Sequence, residues 1–395
     1  MRVQTGNRLV VTVAAATAAV VVSGCGTSSS GSGGGGGAAA GGADGEGYAC
    51  GADEVTIGGL WAQSGPQAAY GEWFAAGTEM AVEDINDAGG IGGETQLRLQ
   101  VEDTRALPEP AVVAFQGMVS DGIQYVLSSF SSQTLALAPI AANEEVVLIN
   151  GGAQSDALGE QGPFLFNTIP LLRNESVALA EKLREDGVGS AAIIYTSDDG
   201  GEAARENFEE AFTEQGGQIT GVESAEFGGT DFRSQLTKLR ATDPEVLVLG
   251  AFGQDSDNII SQVREIGWDV PLANTSWVAI PAVLANPAAE GLRLTTIPFE
   301  PGEDFQQEYE QKYGEAPESA FIGNYYDGVM IFAEAFEQVC ESGAETVSGA
   351  ALADAMREIG TFDSVYGSEL TFEEGTASRP IELAVIEGGA VQPAE

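Results

Sequence analysis

Apolar and polar positions follow two periodicities along most of the chain, one typical of buried strands and one typical of amphipathic helices. The stretch EVTIGGLWA, from Glu54, is rich in β-branched and apolar residues and predicts a buried strand. The next stretch, GEWFAAGTEMAVEDINDAGG, carries apolar residues three and four positions apart and ends in glycines, which predicts a helix. The alternation continues through TQLRLQVED, EPAVVAFQGMVSDG, IQYVLSSF, QTLALAPIAANEE and VVLING.

A second alternating series begins at ESVALAEKLREDG. It continues through SAAIIYTS, GEAARENFEEAFTEQGG, QITGVESAEF, DFRSQLTKLRAT, EVLVLGAF, DNIISQVREIGW and VPLANTS. Two successive series of this length predict an α/β protein with two similar lobes, each built on a parallel sheet. The last segment adds a long helix, ESAFIGNYYDGVMIFAEAFEQVCESG, and a strand, IELAVIEGG.

The first 47 residues follow neither periodicity. Residues 1–24 combine Arg2 and Arg8 with an apolar middle and small residues before Cys25, which is the plan of a secretory signal peptide. The sequence VSGC resembles the lipobox of bacterial lipoproteins, whose cysteine is acylated. Residues 25–47 are rich in glycine and serine, as is typical of a flexible tether. We therefore expect an extracytoplasmic protein that Cys25 anchors to the cell membrane; an ordinary signal peptide is the alternative.

The charge balance excludes some partners. The chain has 60 acidic and 16 basic residues and no histidine, for a formal net charge of -44. Nucleic acids and anionic lipid surfaces are bound by clustered Lys and Arg, so neither is expected as a partner. The acidic residues are spread over predicted helix faces, which favours adaptation to high salt; a cationic ligand is the alternative.

The residue types also argue against catalysis. Without histidine the chain cannot form a Ser-His-Asp or Cys-His arrangement or a histidine metal site. No pair of carboxylates stands out as a general acid and base. The glycines of AGGIGGE follow a helix and precede a strand, the reverse of the order in a phosphate-binding loop. We expect a protein that is not an enzyme and has neither cofactor nor metal.

Two cysteines remain besides Cys25. Cys50 lies just before the first long strand, and Cys340 lies near the end of the last long helix. An even pair in an exported chain is a candidate disulfide, with two buried free thiols as the alternative.

Small polar residues gather at the predicted strand-to-helix junctions, including SSFSSQTLA, NGGAQSDA, TSDDGGEA and ANTSWVA. Ligands of parallel α/β sheets bind at the carboxyl ends of strands, where hydroxyls and free amides can hold a carboxylate. Ser131, Ser132 and Gln154 are the candidates for this role, and simple helix capping is the alternative. The aromatic residues expected to line a cleft at these ends are Trp61, Tyr70, Phe252, Trp277 and Tyr325.

The stretches GGLWAQSGPQAAYGEWFAAGTEMAVEDINDAGGIGG and VSDGIQYVLSSFSSQTLALAP resemble the leucine/isoleucine/valine-binding protein family, the type I solute-binding proteins of ABC importers. The resemblance extends from Glu54 to Glu395. It implies two Rossmann-like lobes that close on a ligand by a hinge, with crossovers near Pro170, Pro298 and Glu382. The expected first lobe comprises residues 48–170 and 298–382, and the expected second lobe comprises residues 171–297 and 383–395.

The resemblance also implies ligand contacts. Ser131 and Ser132 correspond to the loop that binds the ligand carboxylate. Further contacts that the resemblance implies are Tyr70, Gly152, Ala153, Gln154 and Phe252.

The chain departs from the family at the ligand ammonium. Ser276 and Trp277 stand where amino-acid binders carry a glutamate, and Gly200 stands where they carry a tyrosine. A buried ammonium without its carboxylate costs several kcal/mol. The resemblance therefore implies either that a nearby acid replaces this glutamate or that the ligand is not an α-amino acid. The candidate acids are Asp198, Asp199 and Asp255.

These inferences together predict a monomeric solute-binding lipoprotein of an ABC importer. It would bind a branched-chain or related amino acid between its lobes and deliver it to the permease subunits. Urea or a short amide, and an aromatic or aliphatic carboxylate, are the alternative ligands. A sensory ligand-binding domain is the alternative function, because the same fold serves receptors.

Overall fold

The computed structural model describes residues 47–317, 319–367 and 369–394, so the predicted signal peptide, Cys25 and most of the tether lie outside the described residues. The strands, numbered in chain order, are β1 (Tyr48–Ala49), β2 (Glu54–Trp61), β3 (Gln96–Asp103), β4 (Tyr125–Ser128), β5 (Val147–Asn150), β6 (Leu165–Asn167), β7 (Ser190–Thr196), β8 (Gln218–Ala225), β9 (Val246–Gly250), β10 (Leu272–Asn274), β11 (Arg293–Thr296), β12 (Thr346–Val347), β13 (Thr361–Asp363), β14 (Glu369–Glu373), β15 (Thr376–Ala377), β16 (Glu382–Glu387) and β17 (Ala390–Pro393).

The α-helices are α1 (Ala68–Asp87), α2 (Pro108–Ser120), α3 (Ser131–Glu144), α4 (Leu172–Glu185), α5 (Asp199–Glu214), α6 (Arg233–Arg240), α7 (Gly253–Glu265), α8 (Pro281–Leu284), α9 (Glu303–Tyr313), α10 (Ala320–Glu341) and α11 (Gly349–Ile359). Short 3-10 helices span Asp156–Glu160, Ser276–Val278 and Pro287–Ala289.

Two sheets organise these elements into two lobes. Within the described residues, the first lobe has an eight-stranded sheet in the order β13-β14-β15-β6-β5-β4-β2-β3, and the second has a seven-stranded sheet in the order β17-β16-β11-β10-β9-β7-β8. The strands β2 to β6 and β7 to β11 pair in parallel within their sheets, with helices between them along the chain. The expectation of a two-lobed α/β protein is confirmed.

The end of the chain departs from purely parallel sheets. β16 pairs antiparallel with β11 and β17, and β14 pairs antiparallel with β13 and β15. Short connections join β13 to β14, β14 to β15 and β16 to β17, and such connections favour antiparallel pairing because a parallel pair needs a long crossover. The chain therefore passes between the sheets after β6, after β11 and after β15.

The lobe boundaries given above stay a prediction, with one detail changed by the strand pairing. Glu382 was expected to end the first lobe, yet it begins β16 and lies opposite Thr296 in the second sheet.

A disulfide fixes the start of the described chain to the first lobe. Cys50 and Cys340 are bonded, with their Cα atoms 5.6 Å apart, and 290 positions separate them in the sequence. β1 pairs with β12 beside this bond. Helices α1 and α10 pack against each other, with Gly77 of α1 so close to Ile322 that a Cβ atom would lie 2.1 Å from its carbonyl oxygen.

No helix in the described part of the chain is both long enough and apolar enough to cross a bilayer.

Candidate functional site

The lobes meet at the side chain of Tyr70. This tyrosine lies on α1 of the first lobe, and its phenol oxygen accepts a hydrogen bond from the backbone N–H of Gly253, 3.0 Å away, at the start of α7 in the second lobe. The same hydroxyl donates to the carbonyl oxygen of Trp277, which also belongs to the second lobe. Burial raises the pKa of the Tyr70 phenol well above its usual range, so Tyr70 stays a neutral donor. Tyr70 therefore joins the lobes at the carboxyl ends of their sheets.

Around Tyr70 lies a small cavity of about 20 Å³ between the lobes, called the aromatic cavity below. Both lobes contribute rings to it, and the Tyr70 ring lies 5.6 Å from the Phe321 ring and 6.4 Å from the Phe252 ring. A space of this size holds about one water molecule, so a larger ligand requires these rings or the lobes to move. The lining residues are Tyr70, Phe74, Phe130, Ser131, Gly152, Phe252, Trp277 and Phe321.

A larger cavity of about 420 Å³ adjoins it and is called the acidic cavity below. Phe130 and Phe252 line both cavities, and their rings stack with centroids 6.3 Å apart. The remaining residues of its wall are Ala106, Leu107, Pro108, Ser132, Ser197, Asp198, Asp199, Glu202 and Phe227.

Phe130 is held in an unusual backbone conformation. Its φ angle is +57°, a left-handed value that bulky residues rarely adopt, and it directly precedes α3. Such strain persists where the surrounding structure fixes it and is concentrated at functional sites. Here the strain places one ring in the walls of both cavities.

Two aspartates of the second lobe lie near this cleft, and Asp255 is buried whereas Asp198 is half-buried. The Asp198 carboxylate accepts a hydrogen bond from the N–H of Gly200 at 3.3 Å, and the Asp255 carboxylate accepts one from the N–H of Gly228 at 2.8 Å. Burial raises the pKa of Asp198 to about 6. Burial also raises the pKa of Asp255 to about 6, and the charge of Asp198 adds to this shift. Each carboxylate would therefore gain from a cation placed beside it.

A third buried carboxylate, Glu175, lies in the first turn of α4, where the chain enters the second lobe. Its two oxygens accept hydrogen bonds from Gln154 Nε2 at 2.6 Å, Ser276 N at 2.8 Å, Ser276 Oγ at 2.9 Å and Thr295 Oγ1 at 2.6 Å. Gln154 in turn accepts a hydrogen bond from the indole N–H of Trp277. The set Glu175, Gln154, Ser276, Trp277 and Thr295, called the hinge network below, therefore crosses from one lobe to the other.

Comparison with known proteins identifies the family. The family model described as "Periplasmic binding protein" matches residues 54–390. This chain belongs to that family. Membership implies an extracytoplasmic location and a role in binding rather than catalysis.

Individual relatives of this periplasmic binding protein differ in ligand. The chain is 25% identical to the leucine-, isoleucine-, valine-, threonine- and alanine-binding protein of Pseudomonas aeruginosa, over 86% of this chain and 91% of that protein. The branched-chain amino acid substrate-binding protein of Streptococcus pneumoniae, solved with isoleucine, has a TM-score of 0.77 at 24% identity and covers 87% of this chain and 99% of its own. An R. palustris solute-binding protein solved with benzoate also has a TM-score of 0.77, at 19% identity, over 86% of this chain and 95% of its own. Backbone likeness alone therefore does not select the ligand.

Several predicted contacts of this periplasmic binding protein do lie in the cavity walls. Tyr70, Ser131, Gly152, Phe252 and Trp277 line the aromatic cavity. Ser132 and Asp198 line the acidic cavity together with Asp199. The hydroxyl oxygen of Ser132 accepts a hydrogen bond from Asp199 N at 3.3 Å, which adds a contact between the lobes.

Two predicted aromatic contacts are not among the residues that line the two cavities, and their contact with a ligand stays a prediction. Trp61 and Tyr325 are both fully buried, and their rings contact each other with centroids 6.0 Å apart. The Tyr325 hydroxyl donates to the carbonyl of Ser128 at 2.6 Å, behind the aromatic cavity. They belong to the first-lobe core because the strand and helix that carry them are buried there.

The loop that holds Gly152, Ala153 and Gln154 offers less than predicted. The backbone N–H groups of Gly152 and Ala153 already donate to Oδ1 of Asn150, at 3.2 and 2.7 Å, and are thus used within the loop. The amide of Gln154 is used by the hinge network, as is the hydroxyl of Ser276. Gln154 and Ser276 thus belong to the hinge network, and contact of these four residues with a ligand stays a prediction.

Some residues of the site were missed by the sequence interpretation. Phe74, Phe130, Phe227 and Phe321 line the cavities, but they follow ordinary helix or loop patterns in the sequence. Glu175 lies at the start of the predicted helix ESVALAEKL, and acidic residues are common in the first turn of a helix. Their place in the site becomes apparent only where the two lobes meet in the folded protein.

Proposed function

We propose that this protein is the solute-binding lipoprotein of an ABC importer and that it binds a branched-chain or related amino acid between its lobes. Closure around the ligand would create the surface that the permease subunits recognise. The chain itself would perform no reaction, and one copy of the chain would suffice for binding.

The observation that carries the proposal is the shared wall of the aromatic cavity. Tyr70 and Phe74 come from the first lobe, whereas Phe252 and Trp277 come from the second. An aliphatic side chain between these rings would contact both lobes at once and favour the closed arrangement. The relatives that bind leucine, isoleucine and valine agree with this chemistry.

A binding screen of the full-length protein in high salt tests the proposal. The panel contains leucine, isoleucine, valine, other amino acids, urea and benzoate. A ligand at one hundred times its dissociation constant stabilises the folded protein by about 2.7 kcal/mol, which a thermal-shift measurement detects. Stabilisation by branched-chain amino acids supports the proposal, whereas stabilisation by urea alone would contradict the ligand class.

An aromatic carboxylate is the second candidate ligand. The benzoate-bound R. palustris structure has the same TM-score to this chain as the isoleucine-bound one, and the rings of the aromatic cavity could stack on an aromatic ligand once they or the lobes move apart. Stabilisation by benzoate but not by leucine would favour this candidate.

The lipid anchor rests on the sequence alone. Two acyl groups hold a protein on a membrane stably, where one gives marginal binding. We expect Cys25→Ala to release the protein from the membrane fraction. A Cys25→Ala variant that remains membrane-bound and acylated would remove the anchor from the proposal.

A further inference from the structure

Gln67 is a buried side chain whose amide makes no hydrogen bond to any residue that the structure describes. It is 1% exposed, and among the described residues neither its Oε1 nor its Nε2 has a hydrogen-bond partner. Buried polar side chains in native proteins nearly always have a partner, so an amide with two unmet atoms requires an explanation. It lies immediately before α1, three residues from Tyr70, and Tyr70 lines the aromatic cavity.

The amide of Gln67 faces the start of α7 in the other lobe. Gly253 has a φ angle of +57°, and a Cβ atom at that position would lie 1.9 Å from Oε1 of Gln67. Glycine thus allows the first-lobe amide to approach the second-lobe backbone. The N–H of Gly253 is already donated to Tyr70, so it does not satisfy the amide oxygen.

Asp255 supplies a second unmet group in the first turn of the same helix. It is 1% exposed, and its Oδ2 accepts from Gly228 N while its Oδ1 has no partner within the described chain. Two independent side chains, one from each lobe, therefore present unmet polar atoms around Gly253. Together they offer two acceptor atoms and one donor group.

The charges of the cavity walls indicate which kind of ligand can bind to these unmet atoms. The described residues that line the two cavities include Asp198, Asp199 and Glu202 but neither lysine nor arginine. A ligand that carries only negative charge would be repelled by these acids and by Asp255. A ligand with N–H donors would be attracted.

We propose that Gln67 and Asp255 bind the polar head of the ligand, and that this head must carry an ammonium group. The inference rests on the proposed function and narrows its ligand class. The ammonium donates to Asp255 Oδ1 and Gln67 Oε1, and a carboxylate on the same ligand accepts from Gln67 Nε2. A zwitterionic α-amino acid would satisfy these three unmet atoms of Gln67 and Asp255, whereas a benzoate would leave the two acceptors among them unmet. Gln67 and Asp255 thus take the role of the glutamate that amino-acid binders carry at the position of Ser276 and Trp277.

The test compares leucine with 4-methylpentanoate, which is leucine without its amine, and with benzoate, by calorimetric titration of the full-length protein. We expect leucine to bind at least tenfold more tightly than either acid. Gln67→Met should weaken leucine binding about tenfold to a hundredfold, which is the usual effect of losing hydrogen bonds to a charged group. Gln63→Met is the matched control, because Gln63 is exposed in the same loop, and it should leave affinity unchanged.

A melting curve without ligand separates binding from structure. Methionine removes two unmet polar atoms from a buried position, so Gln67→Met should melt at the same temperature as the wild-type protein or higher. A lower melting temperature with unchanged leucine affinity would overturn the inference, because Gln67 would then be structural. Tight binding of benzoate or 4-methylpentanoate by the wild-type protein would overturn it while leaving a solute-binding role intact. Failure of the wild-type protein to bind any of the three would contradict the proposed function as well.

Discussion

Glu175 and Asp255 are both buried carboxylates of the second lobe, yet their hydrogen bonding differs sharply. Each lies in the first turn of a second-lobe helix, and each is at most 1% exposed. Glu175 accepts four hydrogen bonds within the hinge network. Asp255 accepts one, from Gly228, and its other oxygen has no hydrogen-bond partner among the described residues.

The comparison shows that burial alone does not mark a ligand site. A buried carboxylate that is fully hydrogen-bonded holds the protein together, because each of its donors would be left unmet without it. A buried carboxylate with a free oxygen lowers stability until something supplies the missing donor. The hinge network is therefore assigned to the fold, and the groups around Gly253 are assigned to the ligand.

The largest expected effect is on the hinge side. Glu175→Gln converts one acceptor oxygen to a donor and leaves two donors unmet, so we expect the free energy of unfolding to fall by about 3 kcal/mol. Urea unfolding measures the loss. Glu181→Gln, at an exposed position of the same helix, is the control and should change little. Equal effects of the two variants would contradict the assignment of Glu175 to the fold.

Gly253→Ala tests the close approach on the ligand side. The left-handed backbone costs a non-glycine residue about 1 kcal/mol, and the new methyl group must also displace the Gln67 amide. We expect a loss of about 2 kcal/mol in stability together with weaker leucine binding. Gly216→Ala is the control, because Gly216 has a φ angle of +79° and a Cβ atom there would meet no neighbour within 4 Å. The same affinity loss in both variants would show that the approach of Gln67 is irrelevant.

Asp255→Asn should raise the free energy of unfolding at neutral pH, whereas Glu175→Gln should lower it. The pKa of Asp255 is about 6 in the folded protein, against about 4 for an aspartate in the unfolded chain, so Asp255 binds its proton more tightly in the folded state. Its contribution to the free energy of unfolding is therefore present at low pH and is lost as the pH rises from about 4 to 6. Asp255→Asn should raise stability at neutral pH by about 1–2 kcal/mol, flatten this part of the pH profile and weaken leucine binding.

Urea unfolding at pH values on both sides of this range checks that expectation. Asp257→Asn is the matched control, because both oxygens of Asp257 already accept hydrogen bonds, from Asn286 and Gln254. It should lower stability slightly. A loss of stability in Asp255→Asn as large as that in Asp257→Asn would mean that Asp255 is structural.

The fold could be predicted largely from local periodicity. Strands such as Glu54–Trp61 and helices such as Ala320–Glu341 carry enough apolar residues at regular spacing to be predicted from the sequence. Strands of two or three residues, such as Thr376–Ala377, have no periodicity to detect. The strand IELAVIEGG was predicted, but its antiparallel pairing with β11 joins strands far apart in the sequence, which local periodicity does not reveal.

The candidate site was less accessible to sequence reasoning, because it depends on contacts between lobes. Strand-to-helix junctions drew attention to Ser131, Ser132, Phe252 and Trp277, all of which lie in cavity walls; their contact with a ligand stays a prediction. Gln67 sits beside Ala68 in the plain polar stretch SGPQAAYG, and nothing local indicates that its amide is buried against another lobe. Unmet hydrogen bonds are a property of the folded neighbourhood.

The smallest expected effect refines the hinge side of the comparison. Thr295→Val replaces a fully buried hydroxyl by a methyl group of similar shape and removes one of the four donors to Glu175, the Thr295 hydroxyl 2.6 Å from Oε2. Because Gln154 and Ser276 still supply three donors, we expect a loss of only about 1 kcal/mol in urea unfolding. In the Glu175→Gln background the same substitution should cost less, since the acceptor has already changed, and this double-mutant cycle isolates the pair. Additive losses would show that Thr295 and Glu175 do not act together, and the hinge network would then reduce to its contacts with Gln154 and Ser276.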